Sequence, residues 1–394
     1  MTTRRVVVVG AARTAIGKFG GSLKDISTVD LGAHVVKEAV TRAAIESSAV
    51  EQVFIGNVIH TDMRDMYLAR AITIHAGLSI ETPALSLNRV CGSGLQAIIS
   101  AAQAILLGDV DVAVAGGVES MSRAPYWLPT MRWGQRMQDG VVLDAMTGAV
   151  TDPFDGCAMG MTAERVATRY GITREMQDQL ALNSQLRAAA AIEAGYFARQ
   201  IVPIDIPVKG GTTSFAVDEG VRGESTLAGL TKLRPIFDAS GSVTAGNSST
   251  INDGAAALVL MEEQVARARG LPILAHLVGY SHAGVDPAYM GIGPIPAIQK
   301  VLAKTGISRD DVAIYEVNEA FAAQAAAVTQ ELGLDPAKVN PNGSGISLGH
   351  PLGASGAIVS IKAMYELHRT HQQYAVTSLC IGGGQGIAAV WARA

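Results

Sequence analysis

Only three cysteines occur among 394 residues, and they lie far apart, at positions 91, 157 and 380. An odd, scattered set excludes a disulfide framework. With no Cys-x-x-Cys pair and no His-Glu-x-x-His run, it also supplies no zinc-ligand spacing. A reducing compartment fits such cysteine usage, and a cytoplasmic location is expected. Charge is scarce as well: charged residues make up 17%, the net charge is −4, and no basic block exists. Nucleic-acid binding is therefore not expected. No apolar stretch reaches membrane-spanning length, and Arg4-Arg5 followed by a short valine run and Gly10 reads as a strand rather than a signal peptide. The segment 10–17 after that run lacks Gly-x-Gly-x-x-Gly spacing, and Gly17-Lys18 lacks both the phosphate-loop spacing and its Ser/Thr.

What is present is apolar and glycine-rich: 48% hydrophobic residues and 43 glycines. Such a chain can bury a large core, with subunit interfaces included. Residues 6–9 predict a buried parallel strand ending at Gly10, 31–45 a helix, 53–58 a strand, and 84–88 a short strand running into Cys91. Residues 94–107 predict a helix stopped by Gly108, and 110–115 a strand ending in Gly116-Gly117. Later, 312–317 and 374–379 read as strands, with a helix opened by Pro351 and reaching about His368 between them. This alternation indicates an α/β sheet. Strand, glycine turn, helix, strand recurs in both parts of the chain, which predicts a duplication. Segment 119–249 breaks the pattern. It holds Met121, Met131, Met137, Met146, Met159 and Met161, shows few clean strands, and reads as an insertion over a ligand. Residues 255–261 resume the core.

Chemistry concentrates in three glycine-dense turns. Cys91 stands in Cys91-Gly92-Ser93-Gly94, after a strand and at a helix start, where free N–H groups and the helix dipole stabilise a thiolate. Gly92 and Gly94 leave room there for an acyl group. The bland alternative is an inert buried cysteine. His350, between Gly349 and Pro351, occupies the matching turn of the second part and could serve as base for Cys91; alternatively it binds local backbone. Cys380 opens Cys380-Ile381-Gly382-Gly383-Gly384, whose N–H groups suit an oxyanion, and a second thiol there could move a proton. Otherwise it is a small residue closing a strand. Asn318 either polarises a carbonyl through a water or caps a helix over 319–332. Cys157 has no base-bearing motif beside it and reads as structural.

At these residues, together with Gly116-Gly117-Val118-Glu119-Ser120-Met121-Ser122 and Asn318-Glu319-Ala320-Phe321-Ala322, the chain resembles the thiolase family over essentially its full length. The wording is similar to bacterial biosynthetic β-ketothiolases, and Arg64-Asp65-Met66-Tyr67-Leu68 and Asn342-Gly343-Ser344-Gly345-Ile346-Ser347 resemble the branch that takes somewhat longer 3-oxoacyl chains. The resemblance implies an α/β duplicated thiolase fold: two similar βαβαβαββ halves, 1–271 and 272–394, in five αβαβα layers, with a loop domain at 119–249 over coenzyme A. It implies an acetyl-CoA C-acetyltransferase that condenses acetyl-CoA with acetyl-CoA or a short acyl-CoA to 3-oxoacyl-CoA plus CoA. A degradative 3-ketoacyl-CoA thiolase for longer chains is the alternative. Cys91 would carry the acetyl group, His350 would assist it, and Cys380 would deprotonate the second acetyl-CoA. One oxyanion hole would be His350 with a water on Asn318, the other the N–H groups of Cys91 and Gly382. Ser249 is expected near the pantetheine, Arg222 near the adenine, and Met159, Met290 and Phe321 along the acyl pocket. Ala158 and Thr250 depart from the family pattern, which has histidine and glycine there. No metal or resident cofactor is implied, CoA thioesters being substrates, and a homotetramer built from dimers is expected.

Overall fold

In the computed structural model, which describes residues 4–394, the apolar runs become strands buried on both faces. The first half comprises β1 (Val6–Arg13), α1 (Thr28–Arg42), β2 (Gln52–Gly56), α2 (Leu68–His75), β3 (Ala84–Leu87), α3 (Ser93–Leu107), β4 (Val112–Ser120) and, after the insertion, β5 (Asn252–Glu262). The insertion carries α4 (Met159–Tyr170) and α5 (Arg174–Glu193). The second half comprises β6 (Ala275–Gly284), α6 (Pro294–Thr305), β7 (Val312–Val317), α7 (Ala322–Glu331), α8 (Leu352–Thr370), β8 (Tyr374–Ile381) and β9 (Gln385–Arg393).

Strand order exposes the repeat. The first half runs β1-β5-β4-β2-β3 and the second β6-β9-β8-β7. Pairing sense agrees position by position: β1 with β5 and β6 with β9 are antiparallel, β2 with β4 and β7 with β8 parallel. The counterpart of β3 shrinks to one parallel bridge, Tyr315 to Val339. With the short strand Gly17–Lys18, which pairs with β5, as the tenth, the two halves join into a single ten-stranded sheet only through Val7–His276 and Val8–Ala275 of β1 and β6.

Five layers follow from burial. Helices α3 and α8 pack against each other and against strands of both halves, forming the central layer. Helices α1 and α2 cover the outer face of the first half, and α6 with the end of α7 covers that of the second. Contact between α3 and α8 is made at the backbone: a Cβ on Gly356 would lie 2.2 Å from Leu95 N, and one on Gly94 would lie 2.8 Å from Gly353 O. Glycine at 94 therefore admits a helix rather than an acyl group, and at 92 it admits the Ile381 side chain, contrary to the sequence reading.

Other expectations shift. Strand β1 is antiparallel to both neighbours rather than parallel, because each half closes on an antiparallel pair. Strand β4 passes through Gly116-Gly117 to Ser120 instead of ending there, since the glycines admit β5 and the start of α8. Helix α1 starts at Thr28, where the Ser27 hydroxyl accepts the Asp30 N–H, a capping signal upstream of the apolar periodicity. The insertion combines α4 and α5 with two small two-stranded sheets, Tyr126–Trp127 with Leu143–Asp144 and Ile204–Val208 with Gly211–Phe215.

Candidate active site

Cys91 follows β3 through a strained turn. Val90 holds φ +46°, a left-handed conformation that a β-branched residue avoids. Three hydrogen bonds impose it: Val90 N–H to Asn88 Oδ1 (2.8 Å), Ser93 Oγ–H to Val90 O (2.7 Å), and Arg89 N–H to Ser93 Oγ (2.8 Å). The turn delivers Cys91 to the start of α3, where its own N–H and that of Gly382 donate to the sulfur. Those donors favour a thiolate, yet burial outweighs them and pushes the thiol up to about 11; the buried Glu119 adds to the rise. The thiolate expected from the helix terminus is thus replaced by a neutral thiol at rest.

His350 follows Gly349, whose φ of +114° only glycine adopts readily, and its N–H donates to Asn252 Oδ1 at 2.9 Å. Nδ1 lies 2.6 Å from Ser355 Oγ, and Asn318 Nδ2 stands 3.3 Å from Nε2. Burial pushes the imidazole down to about 4, so it too is neutral. Asn318 caps no helix: α7 begins at Ala322 with Phe321 at its cap, and Asn318 is buried against His350. Glu119 ties the elements together, accepting from Asn57 Nδ2 (3.1 Å), Val58 N (3.2 Å), Ile59 N (3.0 Å) and Gly353 N (2.7 Å), the last at the head of α8.

Cys380 is still within β8, not past its end, and is wholly buried with Met159, Met290, Ala320 and Phe321. Burial, followed by the neighbouring Cys91 sulfur, drives its thiol well up. Gly383 and Gly384, at φ +81° and +84°, then turn the chain back into β9.

One cavity of about 820 Å³ gathers most of these groups. Cys91, His350, Gly382, Ser249, Arg222, Met159, Met290 and Phe321 all line it, with Lys18, Phe19 and Glu219. Cys380 and Asn318 are not in its wall; they are buried behind Met159 and Met290, and behind His350, respectively. Ala158 and Thr250 do line it, so the two departures bear on ligand space, whereas Cys157 sits outside and contacts Asp155. Sequence reasoning missed Ser355, Asn252, Glu119 and Phe237. Ser355 lies five residues after His350 and Asn252 two after Thr250, so spacing from His350 was a usable signal for the first. Phe237, edge-on to Phe321 at 6.2 Å and filling the space left by Gly160, has no local signal.

Comparison with known proteins gives the same placement. The family model described as Thiolase, N-terminal domain matches residues 6–264, and Thiolase, C-terminal domain matches 271–393. The chain is 58% identical over 392 residues to beta-ketothiolase BktB of Cupriavidus necator, covering 99% of this chain and 100% of the relative. It is 48% identical over 392 residues to the acetyl-CoA acetyltransferase of Escherichia coli, covering 99% of each. The crystal structure of human mitochondrial 3-ketoacyl-CoA thiolase superposes with a TM-score of 0.98 at 43% identity over the whole of both chains. With matched halves, a shared fold and full-length identity this high, the chain belongs to the thiolase family.

Proposed function

We propose that this chain is an acetyl-CoA C-acetyltransferase, a β-ketothiolase that reversibly joins acetyl-CoA to a second acetyl-CoA or a short acyl-CoA. The observation that carries the reading is one cavity with Cys91, His350 and Gly382 in its wall and Cys380 buried just behind it. The names of the relatives support the same activity. The CoA thioesters act as substrates, with Arg222 and Lys18 at the polar part of the cavity, Ser249 along the pantetheine, and Met159, Met290 and Phe321 against the acyl group.

Neutral thiol and neutral imidazole set the order of events. Cys91 gives its proton to His350 Nε2 as its sulfur attacks the acetyl carbonyl. The N–H groups of Cys91 and Gly382 hold the developing oxyanion. The bond to CoA sulfur breaks, and the departing thiolate takes the Cys380 proton. Acetyl-Cys91, an imidazolium and a Cys380 thiolate remain. That thiolate removes a methyl proton from the second acetyl-CoA, while His350 Nε2–H and an Asn318-held water stabilise the enolate oxygen. The enolate carbon attacks acetyl-Cys91, the carbon–sulfur bond breaks, and Cys91 recovers its proton from His350. Run backwards, the sequence is thiolysis.

A second reading, preference for longer 3-oxoacyl chains, is favoured by the apolar wall of Met159, Met290, Phe321 and Phe237. CoA-dependent cleavage of acetoacetyl-CoA beside 3-oxohexanoyl-CoA tests both. Cleavage that vanishes in Cys91→Ala is expected; the ratio of the two rates decides between short and broad preference. No cleavage of either by folded wild-type protein would overturn the assignment.

A homotetramer built from dimers fits two surfaces. Strand β3 ends the sheet with its side chains half-exposed, an open edge that a second copy could extend. Segment 126–143 exposes Trp133 at 86% and Met137 at 83%. The cysteines at 91, 157 and 380 are all free thiols, in keeping with a cytoplasmic location.

A further inference from the structure

Ser355 lies in the first turn of α8, buried, with its Oγ 2.6 Å from His350 Nδ1 and 2.8 Å from Pro351 O. A hydroxyl carries one proton, and a carbonyl can only accept it. Helical serines commonly bond the carbonyl four residues back, which is Pro351 here. With its proton so placed, Ser355 turns a lone pair toward Nδ1. The Asn318 amide nitrogen stands almost equidistant from the two ring nitrogens, 3.3 Å from Nε2 and 3.4 Å from Nδ1, so it selects neither tautomer and the choice falls to Ser355. Among the described residues, no carboxylate hydrogen-bonds the ring.

We infer that Ser355 fixes His350 as the Nδ1–H tautomer, leaving the Nε2 lone pair free to take the Cys91 proton. Ser355 is thus a positioning residue, and the inference rests on the base role of His350 proposed above. A hydroxyl orients the ring without bringing a negative charge against it. The imidazole therefore stays neutral at rest and becomes cationic only when the Cys91 proton arrives. A void of about 10 Å³ beside Ser355, lined by Asn318, Ser344 and Lys362, has room for one water, which bounds the loss when the hydroxyl is removed.

Two readouts test this in the full-length protein. In nitrogen-15 histidine spectra near neutral pH, with His350 assigned by comparison with His350→Asn, wild type is expected to show a pyridine-type Nε2. Ser355→Ala, a substitution a helix accommodates, is expected to mix the tautomers. Alkylation of Cys91 by iodoacetamide, followed on the Cys91 peptide, should slow about tenfold in Ser355→Ala and stay within about twofold in Ser355→Thr, with unchanged unfolding midpoints. A pyrrole-type Nε2 in wild type overturns the inference, as does wild-type alkylation in Ser355→Ala when His350→Ala is slow. Unchanged alkylation in His350→Ala would instead remove the base role, and the inference falls with it. Should Ser355→Thr fail to fold, the wild-type tautomer and the Ser355→Ala rate still decide the matter.

Discussion

In the proposed reaction Cys91 holds the acyl group and Cys380 moves a proton, and the protonation of these thiols and of His350 sets what each variant should do. Cys380→Ser should still accept acetyl from acetyl-CoA onto Cys91, measured by mass spectrometry, while condensation falls at least about a hundredfold for want of a base. Loss of acetylation with condensation intact would reverse the two roles. His350 carries a pH signature. Burial lowers its folded value to about 4, so acetylation of Cys91 should stay flat from pH 8 down to about 5 and fall toward pH 4. A solvated imidazole would instead begin to fail near its ordinary value of about 6.5. Rapid-quench measurement of acetyl-Cys91 across this range decides between them. The same depression acts on stability: between about 6.5 and 4 the unfolded chain binds a proton that the folded one refuses. Stability therefore falls as pH drops through that window, by on the order of 3 kcal/mol from this group alone. Cys91, His350 and Cys380 were legible in the sequence because glycine turns isolate them. Their protonation was not, because the helix terminus argued for a thiolate while burial, which no local pattern reports, decided for the thiol.

Among the elements, strands and helix centres were readable from apolar runs, and helix α3 from its length and its Gly108 stop. Errors came where glycine serves packing between elements rather than a turn. Gly116 and Gly117 looked like the end of β4 yet sit inside it, because β5 and α8 approach too closely for any side chain. Such contacts join residues distant in sequence, so local reading has no access to them. The α3–α8 contact offers the sharpest test. Gly356→Ala places a Cβ against the Leu95 backbone, and unlike a flexible side chain that backbone cannot yield. A loss of about 1–3 kcal/mol in urea unfolding is expected, together with slower Cys91 acetylation, since α3 and α8 carry the Cys91 and His350 turns. A variant as stable as wild type would show that the helices can part without cost.

Across the whole molecule the duplication was visible as pattern, and strand order makes it structural, half against half. What pattern could not foresee was the shrinking of the counterpart of β3 to one bridge at Val339. That asymmetry leaves an open sheet edge in the first half. If tetramers form through segment 126–143, replacing Trp133 and Met137 by serine should shift sedimentation from tetramer to dimer without loss of Cys91 acetylation; an unchanged sedimentation coefficient would place the contact elsewhere. The central layer also governs how the protein comes into being. Contrary to the sequence reading, residues 90–107 are long and apolar enough to pass for a membrane span, yet in the fold they form the Cys91 turn and α3, and α8, encoded far downstream, packs on them. While the insertion is being translated, α3 can pack on β2 and β4 but not yet on α8, so a chain cut short before α8 would leave the face of α3 that α8 covers open to water.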